Sequence, residues 1–170
     1  MKKIDFNDFF TKPVNLWLKK WLLLTAGNNE DFNAMTVGWG SIGGMWNKPY
    51  IQVVVRPCRY TYEFMERYST FTVCSFPEKY RDSLKLLGSK SGRDSDKISE
   101  SGLKIKKSKV VDAPCFENAD LVLECKKIYW QDMDNNNFLD NGIENLYPQK
   151  DYHRIYYGEI LIIQVSEYES

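Results

Sequence analysis

The chain has almost no histidine. A single residue, His153, serves all 170 positions, which excludes a histidine-rich centre and argues against any bound metal. Net charge is equally missing: 23 Lys plus Arg balance 23 Asp plus Glu, so no overall field draws in nucleic acid or an anionic membrane, and neither is expected as a partner. Cys58, Cys74, Cys115 and Cys125 stand far apart with no CxxC pair, against a zinc knuckle or a thioredoxin-type couple. Nor is there a long apolar run. MKKIDFNDFF carries acidic residues where a signal peptide needs apolar ones, and LWLKKWLLL is too short and too charged to span a bilayer, so a cytoplasmic location is expected.

Nucleotide fingerprints are lacking as well. No GxxxxGK[ST] run occurs, and the glycines of GWGSIGG follow no β-α crossover pattern, so neither a P-loop nor the GxGxxG turn of a Rossmann fold is read. The stretch beginning at Asp132 has the DxDxN start of a calcium loop, but it lacks glycine at the sixth position and Glu144 falls one place late.

What is present is strand-forming sequence. Residues 21–27, 35–39, 50–56, 69–76, 119–130 and 153–168 are rich in β-branched and aromatic side chains and bounded by turn formers. The last two alternate over long stretches, as an antiparallel sheet with one wet face does. Two short helices are expected, at 60–68 and 77–88, the second with proline at its start and glycine at its end. Regular β-α-β alternation is missing, which disfavours a doubly wound sheet and leaves a closed or partly open β-barrel carrying helices. The length suits one domain, 1–170, with loops at 89–102 and 131–151, the latter read as an exposed hairpin excursion.

Two segments hold the chemistry. NAMTVGWG offers slim side chains whose backbone can approach a flat ligand, with Asn33 and Thr36 as hydrogen-bonding side chains and Trp39 as a wall. RPCRYT offers the guanidinium groups of Arg56 and Arg59, with Tyr60 and Thr61 at a helix start that favours an anion. Ser89, Ser91, the Gly92 backbone, Arg93 and Lys97 form a further set suited to phosphate. Together these describe a site for a planar group joined to a phosphorylated one. The alternative is that Arg56, Arg59 and Arg93 are solvated charges pairing with Glu63, Glu66 and Asp94. Cys58, between two arginines, could have a depressed thiol pKa, or could simply pack beside a ligand.

The order NAMTVGWG, PYIQVVVRPCRYT, SFP, LGSKSGRDSDK and then HRIYYGEI resembles the flavin reductase-like, FMN-binding split-barrel family, and within it the flavoredoxin-like branch, over about 21–165. The resemblance implies a mainly β fold, a six-stranded Greek-key split barrel with flanking short helices, and a homodimer with FMN held non-covalently near the subunit interface. It implies that Asn33, Ala34, Met35, Thr36, Val37 and Trp39 line the isoalloxazine ring, where backbone N–H groups from Met35 to Val37 could stabilise charge on the reduced ring. Arg59, Tyr60 and Thr61 would hold the phosphate and ribityl chain. Arg56, Cys58, Ser91 and Arg93 lie beside them, and Lys97 matches a basic residue that closes on FMN. His153 matches a histidine near the flavin and is the candidate catalytic residue. The implied activity is an NAD(P)H:flavin oxidoreductase; the alternatives are a flavoredoxin-type carrier passing electrons to a protein partner, or a flavin-binding module without turnover. The N-terminal LWLKKWLLL and the asparagine-rich 131–151 segment depart from the family pattern.

Overall fold

Every residue of the stretch LLLTAG, Leu22–Gly27, is buried. A strand projects alternate side chains to opposite faces, so burial along its whole length requires cover on both sides. The computed structural model, which describes residues 1–166, provides it. In chain order the elements are β1 (Lys2–Ile4), α1 (Pro13–Asn15) running into a π-turn (Leu16–Lys20), β2 (Leu22–Gly27), β3 (Phe32–Val37), β4 (Gly40–Met45), β5 (Lys48–Val55) and α2 (Tyr60–Arg67). There follow β6 (Thr70–Ser75), α3 (Arg81–Ser89), α4 (Lys97–Glu100), β7 (Ile105–Lys106), β8 (Cys115–Phe116), β9 (Leu121–Asp132), α5 (Asn141–Glu144) and β10 (Arg154–Val165).

The main sheet is antiparallel throughout and runs β3-β2-β6-β9-β10-β5-β4, with β1 added to β10 where β5 has ended. The six expected strands are all in it; β1 and β4 are additional, and β7 pairs β8 separately. Of the stretch expected as the last strand, residues 167–168 lie outside the described residues. Among the described residues no helix is long and apolar enough to cross a membrane.

The two ends of this sheet are consecutive in the chain. β3 stops at Val37 and β4 starts at Gly40, and the link through Gly38 and Trp39 spans at most about 11 Å. The sheet must therefore curl until its edges nearly meet, yet the edges are not hydrogen-bonded to each other. The result is a split barrel, with Trp39 at the split.

Strand periodicity then sorts the core. Leu22, Leu24 and Ala26 point inward with Val37, Val53, Phe71, Val73, Leu123 and Tyr156, and α2 closes one end by turning Phe64 and Met65 into the same cluster. Leu23 points outward, into a second cluster with Ala34, Leu84, Leu87, Ile98 and Phe116. Helix α3 supplies Leu84 and Leu87, three apart and so on one face. A network pins α2 to the barrel: Arg154 donates to both oxygens of Asp132 and to Glu66, stacks on Trp130, and leaves Glu66 to accept from Tyr156 as well.

Gly40 sits where the barrel closes. A Cβ there would lie 2.2 Å from the Gln52 carbonyl oxygen and 2.4 Å from the Trp17 ring, whereas one on Gly44, in the same strand, would meet nothing within 4 Å. Gly40→Ala should therefore cost about 1–3 kcal/mol as an overpacking defect, and Gly44→Ala should be near neutral; urea unfolding of the two variants checks this, and equal midpoints would overturn it.

Candidate functional site

Pro57 cannot extend the β5 ladder, and the chain turns there, with the Arg59 N–H donating to the Arg56 carbonyl at 3.0 Å. Helix α2 starts at the next residue. Arg59 occupies its cap position with extended backbone and no side-chain bond to the first turn, so the positive end of the helix is not answered by its own cap. Beside it lies a cavity of about 80 Å³ lined by Met35, Cys58, Arg59, Tyr60, Thr61, Ser89, Lys90, Ser91 and Lys97. Sites for whole ligands run to several hundred Å³; this one suits a single small group.

Its charge is one-sided. Among the described residues no acidic side chain lines the cavity. Lys90 is paired with Glu100, but Arg59 and Lys97 donate only to carbonyl oxygens: Arg59 to Gly88, and Lys97, 2% exposed, to Leu87 at 3.0 Å and Lys90 at 3.1 Å. Burial, and then the charge of Arg59, push the Lys97 ammonium down to about 8. Two cations thus converge on a site without an anion, with serine hydroxyls and a helix terminus facing it.

Strand β3 runs past this cavity. Being the last strand of the sheet, it has no strand partner beyond β2 among the described residues, and α3 and the segment around Gly92 cover it instead, so that Asn33, Ala34, Met35 and Val37 are all buried. Its side chains divide. Met35 lines the cavity and Asn33, buried, donates to Thr61 Oγ1 at 2.7 Å. Ala34 lies in the outer core and the Thr36 hydroxyl donates to the Leu84 carbonyl at 2.6 Å; neither lines the cavity. Val37 is in the barrel core. Gly92 holds the 89–97 loop against this strand, because a Cβ there would come within 2.4 Å of Asn33 Oδ1.

The remaining arginines are engaged. Arg93 stacks on Tyr60, pairs with Glu63 and donates to the Cys58 carbonyl. Both side chains of that pair are more than two-fifths exposed, and such a pair contributes about 0–1 kcal/mol, so Arg93 can exchange Glu63 for another anion at little cost. Arg56 is held more firmly. It donates to Asp151 at 3.1 and 3.3 Å and to the Leu146 carbonyl at 2.8 Å, and lies over the Tyr147 ring, with the Arg56 and Asp151 side chains 28% and 15% exposed.

Asp151 also accepts from Cys58 Sγ at 3.3 Å. Burial and this carboxylate raise the thiol pKa, outweighing Arg59 and Arg56, so the depressed, reactive thiol considered from sequence is not what forms. The other three cysteines are buried. His153 lies at the far end of the same row: its Nδ1 is 2.8 Å from the Tyr147 hydroxyl and its ring 5.2 Å from that of Trp39. Burial, then the Arg56 charge, lower its pKa to about 4, leaving it neutral at pH 7. Sequence reading missed Asp151 and Tyr147, which stand in LYPQKDYH immediately before His153; the acid and the aromatics in that run were the available signal.

The site thus joins a split barrel and its edge strand to a cavity lined by cations and hydroxyls, with no acidic side chain among the described residues. The model of the flavin reductase like domain matches residues 19–170, and the chain belongs to that family. Solved structures agree in fold. The flavoredoxin of Desulfovibrio vulgaris (Miyazaki F) is 23% identical, covers 98% of this chain and 78% of its own, and superposes with a TM-score of 0.68. An FMN-binding protein from Thermus thermophilus, solved with bound 1-cyclohex-2-enone, is 18% identical over 98% of this chain and 82% of its own, with a TM-score of 0.68. The 2-nitrobenzoate 2-nitroreductase of Pseudomonas fluorescens is 18% identical over 91% and 68%, also at 0.68. A search of the curated proteins finds no significant match.

Lys97 makes a measurable signature. Its folded pKa lies below its unfolded one, so from about 8 upward the unfolded chain retains a proton that the folded chain has lost, and folding gains as pH rises towards the ordinary lysine value. The difference in unfolding free energy between the ligand-free wild type and Lys97→Met should therefore change across that window in favour of the wild type. A pH-independent difference would show that Lys97 titrates as an ordinary lysine.

Proposed function

We propose that this chain binds FMN non-covalently, with the phosphate in the cavity between Arg59 and Lys97 and the ring along the outer edge of β3 towards Trp39, and that it is an NAD(P)H-dependent flavin oxidoreductase. The observation that carries the reading is the convergence of two cations on a cavity with no acidic lining. Thr61, Ser91 and the first turn of α2 would complete the phosphate set, with Tyr60 and Arg93 beside it, and Asn33, Met35 and the backbone of Ala34, Thr36 and Val37 would face the rest. When bound, FMN itself supplies the hydride and electron chemistry. The protein's tasks are to neutralise the phosphate, to orient the ring, and to leave one face open to the nicotinamide.

The reading extends to a homodimer within which the flavin sites lie near the interface. Supporting this is an aromatic surface outside the barrel, formed by Trp46, Tyr50, Tyr129 and Tyr157 with ring centroids 5.5–6.0 Å apart; Trp46 and Tyr129 are 54% and 43% exposed. Exposed aromatic clusters of this kind are enriched at interface cores. Trp46→Glu should shift the sedimentation coefficient from dimer to monomer; an unchanged dimer would place the interface elsewhere.

The phosphate assignment has a separable test. FMN affinity should fall as pH rises through about 8, where Lys97 loses its proton, while riboflavin, which lacks the phosphate, should bind more weakly and without this dependence. Arg59→Ala should weaken FMN by about 10- to 100-fold, the value of a charge-assisted hydrogen bond, and leave riboflavin nearly unchanged. Equal losses for both ligands would remove the phosphate from this cavity. For the activity, the protein is mixed with FMN, freed of unbound flavin, and treated anaerobically with NADH and then NADPH. Prompt bleaching by one nucleotide is expected and names the donor; bleaching by dithionite alone would instead make the chain an electron carrier serving a protein partner.

A further inference from the structure

Residues 133–153, between β9 and β10, contain no strand. They form a small lobe of their own: Asp134 caps a 3-10 turn at Asn135–Asn137, Asp140 caps α5, and Tyr147, 3% exposed, sits among the rings of Phe138, Tyr152 and His153. With no ladder to join it to the barrel, side chains must do so, and Arg56 carries most of that load. From the end of β5 its guanidinium reaches the Asp151 carboxylate, the Leu146 carbonyl and the face of Tyr147. Tyr147 in turn bonds His153 Nδ1, and His153 lies against Trp39 at the split. A continuous row of contacts therefore runs from Cys58, which lines the anion cavity and bonds Asp151, to Trp39.

We propose that Arg56 and Tyr147 are positioning residues, which clamp the 133–153 lobe onto the barrel and thereby fix the His153 ring beside Trp39 as a wall of the flavin site. This rests on the FMN reading for the word flavin, not for the clamp. It reassigns Arg56, which the sequence offered as a phosphate ligand: its Nη1 bonds Asp151 and its Nη2 bonds the Leu146 carbonyl instead. The groups facing His153 are the Tyr147 hydroxyl, the Trp39 ring, the Arg56 cation and, opposing it, the Asp151 carboxylate. An imidazole so enclosed is held in one orientation and uncharged, so the nicotinamide approaching the flavin meets a fixed neutral edge rather than a mobile cation.

Because His153 is the only histidine of the chain, its imidazole resonances can be titrated by NMR without assignment. The experiment compares wild type, Tyr147→Phe and Arg56→Lys, the last keeping the charge while losing the planar fork. In wild type the ring should stay neutral down to about 4. In both variants the midpoint should rise by about 1 pH unit, as the enclosure loosens and water reaches the ring. Tyr147→Phe should retain FMN, since Tyr147 does not line the anion cavity, yet its flavin should be reduced by the nucleotide about tenfold more slowly or worse, as expected of a displaced wall. Unmoved titrations in both variants would overturn the clamp. A moved titration with an unchanged reduction rate would overturn the positioning role. If the wild type retains no FMN, the flavin reading falls, and the titration still decides whether Arg56 and Tyr147 fix His153.

Discussion

Two residues, Gly38 and Trp39, join the first and last strands of the sheet path, and much of the molecule follows from that short link. It forces the sheet to curl, because strands at opposite edges cannot otherwise be about 11 Å apart along the chain. Full closure is not reached, since β3 and β4 meet at one corner without a shared ladder. An edge is ordinarily a liability that proteins cover or charge. Here the edge is β3, and α3 and the 89–97 loop approach it from one side, leaving its backbone beside a cationic cavity. The strand that ends at this corner is thus the one that passes the cavity, to which it contributes Met35.

Electrostatics completes the arrangement by omission. Besides Lys90, which pairs with Glu100, four cations stand near the start of α2, and they differ in what already neutralises them. Arg56 is satisfied by a well-shielded carboxylate and Arg93 by an exposed one, while Arg59 and Lys97 have only carbonyl oxygens. Pairing within the protein therefore divides groups that look equivalent in sequence into one with a shielded carboxylate, one with an exposed carboxylate and two that bond only carbonyl oxygens.

How much of this could be read from the sequence depended on whether local chemistry or tertiary contact decided the outcome. The barrel strands carried their own signal, since VVV, TFTVCS and the alternation of 154–165 fit a pleated, half-buried surface. Strand β4 did not: GSIGGM has three glycines, which disfavour strand, and only its pairing with β5 through the turn at Trp46 and Asn47, both at positive φ, makes it one. The cavity was legible as a set, because Arg59, Tyr60 and Thr61 lie at the start of one helix, and Ser91, in the connection that follows α3, stands six residues before Lys97 at the start of α4. The rotation of Ala34 and Thr36 towards α3 was not, as it depends on which face of β3 that helix covers. Arg56 and Asp151 are 95 residues apart, and no local pattern announces their pairing.

The lobe at 133–153 has a further consequence for how the protein breathes. Its side-chain contacts with the barrel include those of the Arg56 guanidinium, the Cys58 thiol and the Trp39 ring, against the long ladders that hold the barrel. Opening it disturbs neither core cluster, so it forms a unit of local stability lower than that of the whole. Amide protons in the lobe should consequently exchange through excursions that leave β9 and β10 protected, and the segment can vary in length and sequence without altering the barrel on which it rests.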